Sequence, residues 1–272
     1  MTAPLLELSH ASKTFGFGLL SRRRVPAVTD VSFALDAGAP EIFTIVGQSG
    51  SGKTTLARMI LGMETPTNGS IHLLGNDIAR IRGAGGRKLF MSAVQPIFQN
   101  PFEAFNPLRQ LDHYLFLTAR RFGDARAQQG ARTRTDAALR QVGLSLPEVA
   151  GRYPHELSGG QLQRAAIARA LLANPKLIVA DEPVSMVDAS LRMSVVNLFK
   201  TLRDDLGISI IYITHDLATA YYISNRIIIM KDGKVVESGD ARTVLAAPQH
   251  PYSQQLKDAV LLPQFTPDAM SL

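Results

Sequence analysis

Apolar and polar positions along the chain follow two periods. Leu5–Leu8 and Val31–Leu35 alternate apolar with polar residues and predict half-buried strands. Ile42–Val46, Ser92–Phe98, Leu177–Ala180 and Ile208–Ile213 are short runs that are largely apolar, the pattern of strands buried on both faces. Helical spacing appears at Leu56, Met59 and Ile60, then over 109–141 (Leu111, Tyr114, Leu115, Leu117, Ala138, Val142), then at Leu162, Ala165, Ile167, Ala168 and Leu171, and over Leu191–Leu206. Gly143 closes the second of these and Pro147 opens a short further segment. Thr65–Gly69 and Gly75–Asp77 read as turns around a strand at Ser70–Leu74, and Arg226–Met230 with Lys234–Glu237 reads as a hairpin across Lys231-Asp232-Gly233. Phe15–Pro26 reads as an extended loop, Arg82–Lys88 as an exposed stretch and Asp240–Leu272 as an irregular extension with a loose end. The sum is an α/β fold with a helical insertion, and no internal repeat or low-complexity tract interrupts it.

The first strand-to-helix junction carries chemistry. Gly47-Gln48-Ser49-Gly50-Ser51-Gly52-Lys53-Thr54 fits G-x-x-x-x-G-K-[ST], followed by Thr55, between an apolar strand and a helix. A loop that wraps a phosphate needs converging backbone N–H groups, which glycine permits, and the helix that follows aims its positive end at the same anion. The pattern assigns Lys53 to the β- and γ-phosphates and the Thr54 hydroxyl to Mg²⁺, so a nucleoside triphosphate site is predicted.

Other strand ends repeat the theme. Gln99 follows Ser92–Phe98, a place from which a glutamine can ligate Mg²⁺ or hold a water. Asp181 and Glu182 follow Leu177–Ala180; ligands in α/β folds sit at such ends, Asp181 suiting the metal shell and Glu182 a general base. His215 ends Ile208–Ile213. Ser158-Gly159-Gly160-Gln161 precedes a patterned helix, with Ser158 placed as N-cap and the Gly159 and Gly160 amides facing outward as a second anion site. Asp188 sits in the turn before Leu191–Leu206, where capping is its ordinary role. Phe15, just before the Gly- and Arg-rich segment, either stacks on an adenine ring or covers the core from an edge strand.

Composition narrows the classes. The 272 residues are 46% hydrophobic and 19% charged, which fits a globular chain with ample core. Without cysteine there is no disulfide, thiolate metal site or iron–sulfur cluster, and His10, His72, His113, His155 and His250 lack metal-ligand spacing. No apolar run approaches the roughly 18 residues that span a bilayer, and no secretory pattern opens the chain, so a membrane link is expected to come through a partner. The net charge of +6 is spread over scattered arginines without aromatic interleaving, and no nucleic acid is expected.

Taken in order, the phosphate loop, Gln99, LSGGQ at Leu157–Gln161, LIVADEP at Leu177–Pro183, Asp188 and His215 resemble the ATPase subunits of ABC transporters over about residues 5–239. Tyr153–Gln161 (YPHELSGGQ), Phe98–Pro107 and His250-Pro251-Tyr252 resemble the oligopeptide/dipeptide importer branch. Two departures are SMVD at Ser185–Asp188, where the family usually has SALD, and the lack of the tail cysteine cluster that some members carry. The resemblance implies a phosphate-loop α/β ATPase core with a mainly parallel sheet, an antiparallel β subdomain and a helical subdomain at about 100–172, all within 1–240, and an importer-type extension over 241–272. It implies ATP and Mg²⁺ held between this chain's Gly47–Thr55 and a partner's Ser158–Gln161, in a homo- or heterodimer of ABC ATPases. Phe15 becomes the adenine-stacking aromatic, Glu182 the catalytic base, His215 the γ-phosphate contact, Gln99 the sensor at a permease groove offering Phe98, Phe102 and Phe105, and Asp188 a dimer-interface residue. Expected partners are integral-membrane permeases and, through them, an extracytoplasmic solute-binding protein, with the chain peripheral on the cytoplasmic face of the inner membrane. The alternative is a non-transport ATPase of a soluble complex such as carbon–phosphorus lyase.

Overall fold

The computed structural model describes residues 4–17, 23–123 and 128–261. Two long strands open the chain, β1 (Leu6–Phe17) and β2 (Arg23–Leu35). They pair antiparallel from Leu6 opposite Leu35 to Phe17 opposite Arg23, so most of the expected Phe15–Pro26 loop is strand, and its tip at 18–22 lies outside the described residues. Register shifts between Leu8 and Thr14 break the strict alternation on which a strand is recognised from sequence.

Next come β3 (Ile42–Val46), α1 (Lys53–Ile60), β4 (Asn68–Leu73), β5 (Asn76–Asp77), α2 (Gly83–Ala93) and β6 (Val94–Ile97). The exposed stretch expected at 82–88 thus begins a helix; its glycines crowd the first turns, and the apolar residues Leu89, Phe90 and Ala93 occupy its second half. A helical region without strands follows: α3 (Leu111–Phe122), α4 (Gln128–Gln141), α5 (Leu146–Val149) and α6 (Gly159–Leu171). Core strands and helices then alternate through β7 (Leu177–Asp181), α7 (Ala189–Asp204), β8 (Ser209–Thr214) and α8 (Leu217–Ile223), ending in the hairpin β9 (Arg226–Lys231) and β10 (Lys234–Asp240). The tail is helical, not irregular: α9 (Ala241–Ala246) is capped by Asp240, whose Oδ1 accepts from Thr243 N at 2.9 Å, and α10 (Pro251–Leu261) opens on a proline. The expected loose end, 262–272, lies outside the described residues.

Two sheets result, a four-stranded antiparallel one in the order β2-β1-β4-β5 and a six-stranded one in the order β10-β9-β3-β8-β7-β6. In the larger sheet every pairing from β9 to β6 is parallel and only β10 runs the other way. Its central strands β3, β7 and β8 are buried on both faces. Phe43, Ile45, Val179, Ile211 and Ile213 face a core shared with α1 and the antiparallel sheet, whereas Ile42, Ile178, Ala180, Ile210 and Tyr212 face one shared with α6, α7 and the helical region. That two-sided burial is why these runs lack polar alternation. A third cluster joins Val46, Ala220, Ile227 and Ile229 to Ala241, Val244 and Tyr252, tying the tail to the sheet.

Candidate active site

Because β3, β8, β7 and β6 are adjacent and parallel, the segments following them emerge along one edge. There they line a cleft of roughly 640 Å³ with Gln48, Ser49, Gly50, Gly52, Lys53, Thr54 and Thr55 after β3, His215 after β8, Glu182 after β7 and Gln99 after β6. Ala27 of β2 also lines it, a contribution no sequence signal marks.

The phosphate loop is shaped by backbone crowding. A Cβ on Gly47 would stand 2.3 Å from the Met230 carbonyl oxygen, and one on Gly52, whose φ is 102°, 2.3 Å from that of Ala27. Both approaches close the loop against its neighbours. Gly47 and Ser51 are buried and do not line the cleft, and the Ser51 hydroxyl is buried too. Lys53 is only 6% exposed, and its Nζ donates to the carbonyls of Gly47 at 2.7 Å and Gln48 at 2.8 Å. An ammonium has three donors, so one is left for a ligand. Burial holds its pKa below the usual lysine range, against the pull of Glu182 and Asp181.

The paired carboxylates have different surroundings. Burial raises the Asp181 pKa, and the Glu182 charge adds to this, while a hydrogen bond with the Thr54 side chain opposes it. Glu182 faces the cleft, its Oε1 at 3.1 Å from His215 Nδ1 and its Oε2 accepting from Gln99 Nε2 at 3.3 Å. The three predicted strand-end residues therefore meet at one carboxylate. Glu182 holds a left-handed φ of 46°, and its N–H donates to the Ile213 carbonyl at 2.9 Å. A non-glycine residue kept in that region is strained, a condition that clusters at functional sites.

Other predicted residues do not line the cleft. Phe15 lies on β1 opposite Val25, two residues from Ala27, with Lys13 Nζ 5.1 Å from its ring centroid. Ser158, Gly159, Gly160 and Gln161 form the start of α6 and are not among the residues that line the cleft. The Ser158 side chain accepts from Gln161 N at 3.2 Å, and Gln161 Oε1 accepts from Ser158 N at 3.1 Å, a reciprocal cap. Gly160 is buried, and a Cβ there would meet Leu191 of α7 at 3.2 Å. Asp188 precedes α7 exposed, and its side chain makes no capping bond; its carbonyl accepts from Leu191 N and Arg192 N instead. Of the expected groove aromatics, Phe98 lines a second hollow of roughly 500 Å³ with Met63, Ile78, Phe90, Met91 and Ala166, and Phe102 is exposed. Phe105 is 3% exposed, edge-on to Tyr114 and under Arg169, and so belongs to the core.

The family profile described as "ABC transporter" matches residues 28–185. The "Oligopeptide transport ATP-binding protein OppF" of Salmonella typhimurium is 41% identical over 241 residues, covering 89% of this chain and 71% of that one. The "Oligopeptide transport ATP-binding protein AppF" of Bacillus subtilis is 39% identical over 263 residues, covering 94% and 78%. Among solved structures, the dimeric ATP-binding cassette MJ0796 in a post-hydrolysis state bound to ADP and Pi superposes with a TM-score of 0.77 at 29% identity, covering 87% of this chain and 99% of that one.

Proposed function

This chain belongs to the ABC transporter family, and on that premise we propose that it is the ATP-hydrolysing subunit of an importer for peptides or related small solutes. The observation that carries the reading is the strand-end cleft, in which Lys53, the Thr54–Asp181 pair and the Gln99–Glu182–His215 cluster sit on one edge of a parallel sheet. ATP would lie along Gly47–Thr55, its phosphates taken by the loop amides and the remaining donor of Lys53. Phe15, close to the cleft on β1, would meet the adenine.

Glu182 would accept the proton of the attacking water, with Gln99 and His215 holding its two oxygens in place and His215 also reaching the γ-phosphate. Asp181 and the Thr54 hydroxyl offer hard oxygen donors side by side, which fits Mg²⁺, and Gln99, on the lining of the cleft, would be the third donor. Among the described residues no group of three His, Cys, Asp or Glu could hold a metal ion. When bound, Mg²⁺ would neutralise charge on the phosphate oxygens.

In this reading Ser158–Gln161, outside the chain's own cleft, and Asp188 serve a second ATPase subunit. Residues 1–240 form the ATPase domain with a helical subdomain at about 100–172, and 241–272 an appended extension. Among the described residues no helix is long and apolar enough to cross a membrane. Attachment would therefore run through permeases seated in the hollow lined by Phe98, Met91 and Phe90, with Phe102 at hand, on the cytoplasmic face of the inner membrane, and a solute-binding protein would join from the other side.

The test is to recover tagged protein from native membranes in mild detergent and identify what accompanies it. Multi-span permeases in the eluate, with ATPase activity lost in Lys53→Ala, are expected. Soluble enzymes alone would overturn the importer while leaving the ATP site standing.

A further inference from the structure

The entrance of the phosphate loop is held by a residue from the far end of the chain. We propose that Tyr252 is a positioning residue for nucleotide binding, its hydroxyl latching the Gly47–Gln48 peptide; this rests on reading the cleft as the ATP site. The Gln48 N–H donates to Tyr252 Oη at 3.0 Å, a contact spanning 204 positions of sequence. The carbonyl of the same peptide unit, Gly47 O, accepts from Lys53 Nζ at 2.7 Å. One planar group is thus gripped on both sides, by the tail through its N–H and by the ammonium through its C=O. If the plane turns, the carbonyl that anchors Lys53 moves with it. The next carbonyl, Gln48 O, adds bonds from Lys53 Nζ at 2.8 Å and Ser51 N at 3.2 Å, so the same hinge bears on the loop's interior.

The tyrosine is itself fixed. It is 4% exposed, packed with Val46, Ile229 and Val244, and Lys231 Nζ stands 5.0 Å from its ring centroid. Its N–H donates to His250 Nδ1 at 3.1 Å. Glu237 of β10 receives the preceding turn, Oε1 accepting from Gln249 N at 2.8 Å and Oε2 from His250 N at 3.1 Å. The His250-Pro251-Tyr252 turn is therefore a brace from the sheet edge to the phosphate loop. None of Glu237, His250 or Tyr252 lines the cleft, so their effect on nucleotide passes through the loop.

Tyr252→Phe keeps the ring, its burial and the Lys231 contact, and removes only the hydroxyl. Loss of one such bond is expected to weaken ATP binding about three- to tenfold, with kcat at saturating ATP within about twofold of the parent. Hydrogen exchange at the Gln48 amide, read on a peptide spanning the loop, should quicken. A packing role alone predicts the opposite ordering: Phe would restore the parent KM and exchange rate, and only Tyr252→Leu would fail. Lys53→Ala, run alongside, separates the premises. If Lys53→Ala loses ATP binding while Tyr252→Phe binds and exchanges like the parent, the latch is overturned and the ATP site stands. If Lys53→Ala binds ATP normally, the site reading falls and the latch with it.

Discussion

Asp181 and Glu182 are neighbours in sequence with different surroundings, and the tasks proposed for them follow that difference. Glu182 faces the cleft between His215 and Gln99, so Glu182→Gln should keep ATP affinity and lose turnover by about a hundredfold or more, measured as nucleotide binding against phosphate release. Hydrolysis at the parent rate would remove Glu182 from the role of base. Asp181 is raised by burial, so the folded chain binds its proton more tightly than the unfolded one. Its contribution to stability is fully present below the ordinary Asp value of 3.8 and is lost as pH rises through the raised pKa. Above that window the raised pKa opposes folding, so Asp181→Asn, melted without nucleotide, should have a higher Tm than the parent. The gap should widen with pH across that window, and a gap that is flat or reversed would refute the assignment. Mg²⁺-dependent ATPase activity should be lost in the same variant. Both carboxylates were legible in sequence because a polar pair directly after four apolar residues marks a strand end. Phe105 was misread because an aromatic in a proline- and asparagine-rich segment carries no periodicity, and only packing against Tyr114 and Arg169 places it inside.

At the scale of elements, two-sided burial or sustained helical spacing makes β3, β7, β8, α6 and α7 legible in the sequence. Elements in which local irregularity interrupts the period are not. The bulged β1–β2 pair passes through a Gly- and Arg-rich stretch, α2 starts on glycines, and the tail helices gain their support from distant partners such as Val46 and Ile229. The junction of β3 with α1 shows how an element boundary is enforced. Gly52 opens α1 in a left-handed conformation, with the Ala27 carbonyl where a Cβ would go. Gly52→Ala must therefore pay backbone strain and push β2 away, a cost of about 1–3 kcal/mol. The expected result is a Tm lowered by several degrees and ATP binding lost, whereas Gly50→Ala, which has open space but a φ of 80°, should suffer strain without the clash and lose less stability. Equal melting temperatures for the two variants would show that β2 yields freely.

The molecule as a whole carries two glycine-containing helix starts that do not share a cleft within one chain, the phosphate loop and the capped start of α6. The strand-end convergence could be read from one sequence because a parallel sheet brings successive C-terminal ends to one edge. The pairing of loops between subunits could not, since no periodicity within a chain encodes contacts to another; it came from resemblance alone. A head-to-tail pair gives the second loop a purpose, and the two arrangements make different predictions. Ser158 caps α6, so the control is Ser158→Asn, which keeps a capping side chain, against Ser158→Arg, which adds bulk and charge at that end. If α6 completes a partner's site, Ser158→Arg should bind ATP within about twofold of the parent, because each chain's own cleft is untouched, yet lose hydrolysis and ATP-dependent pairing. Light scattering of the Glu182→Gln background with ATP, with and without Ser158→Arg, reads the pairing directly. Should Ser158→Arg hydrolyse ATP as the parent does, α6 would be a capped helix and nothing more, and the glycine at 160 would be explained by its packing under Leu191.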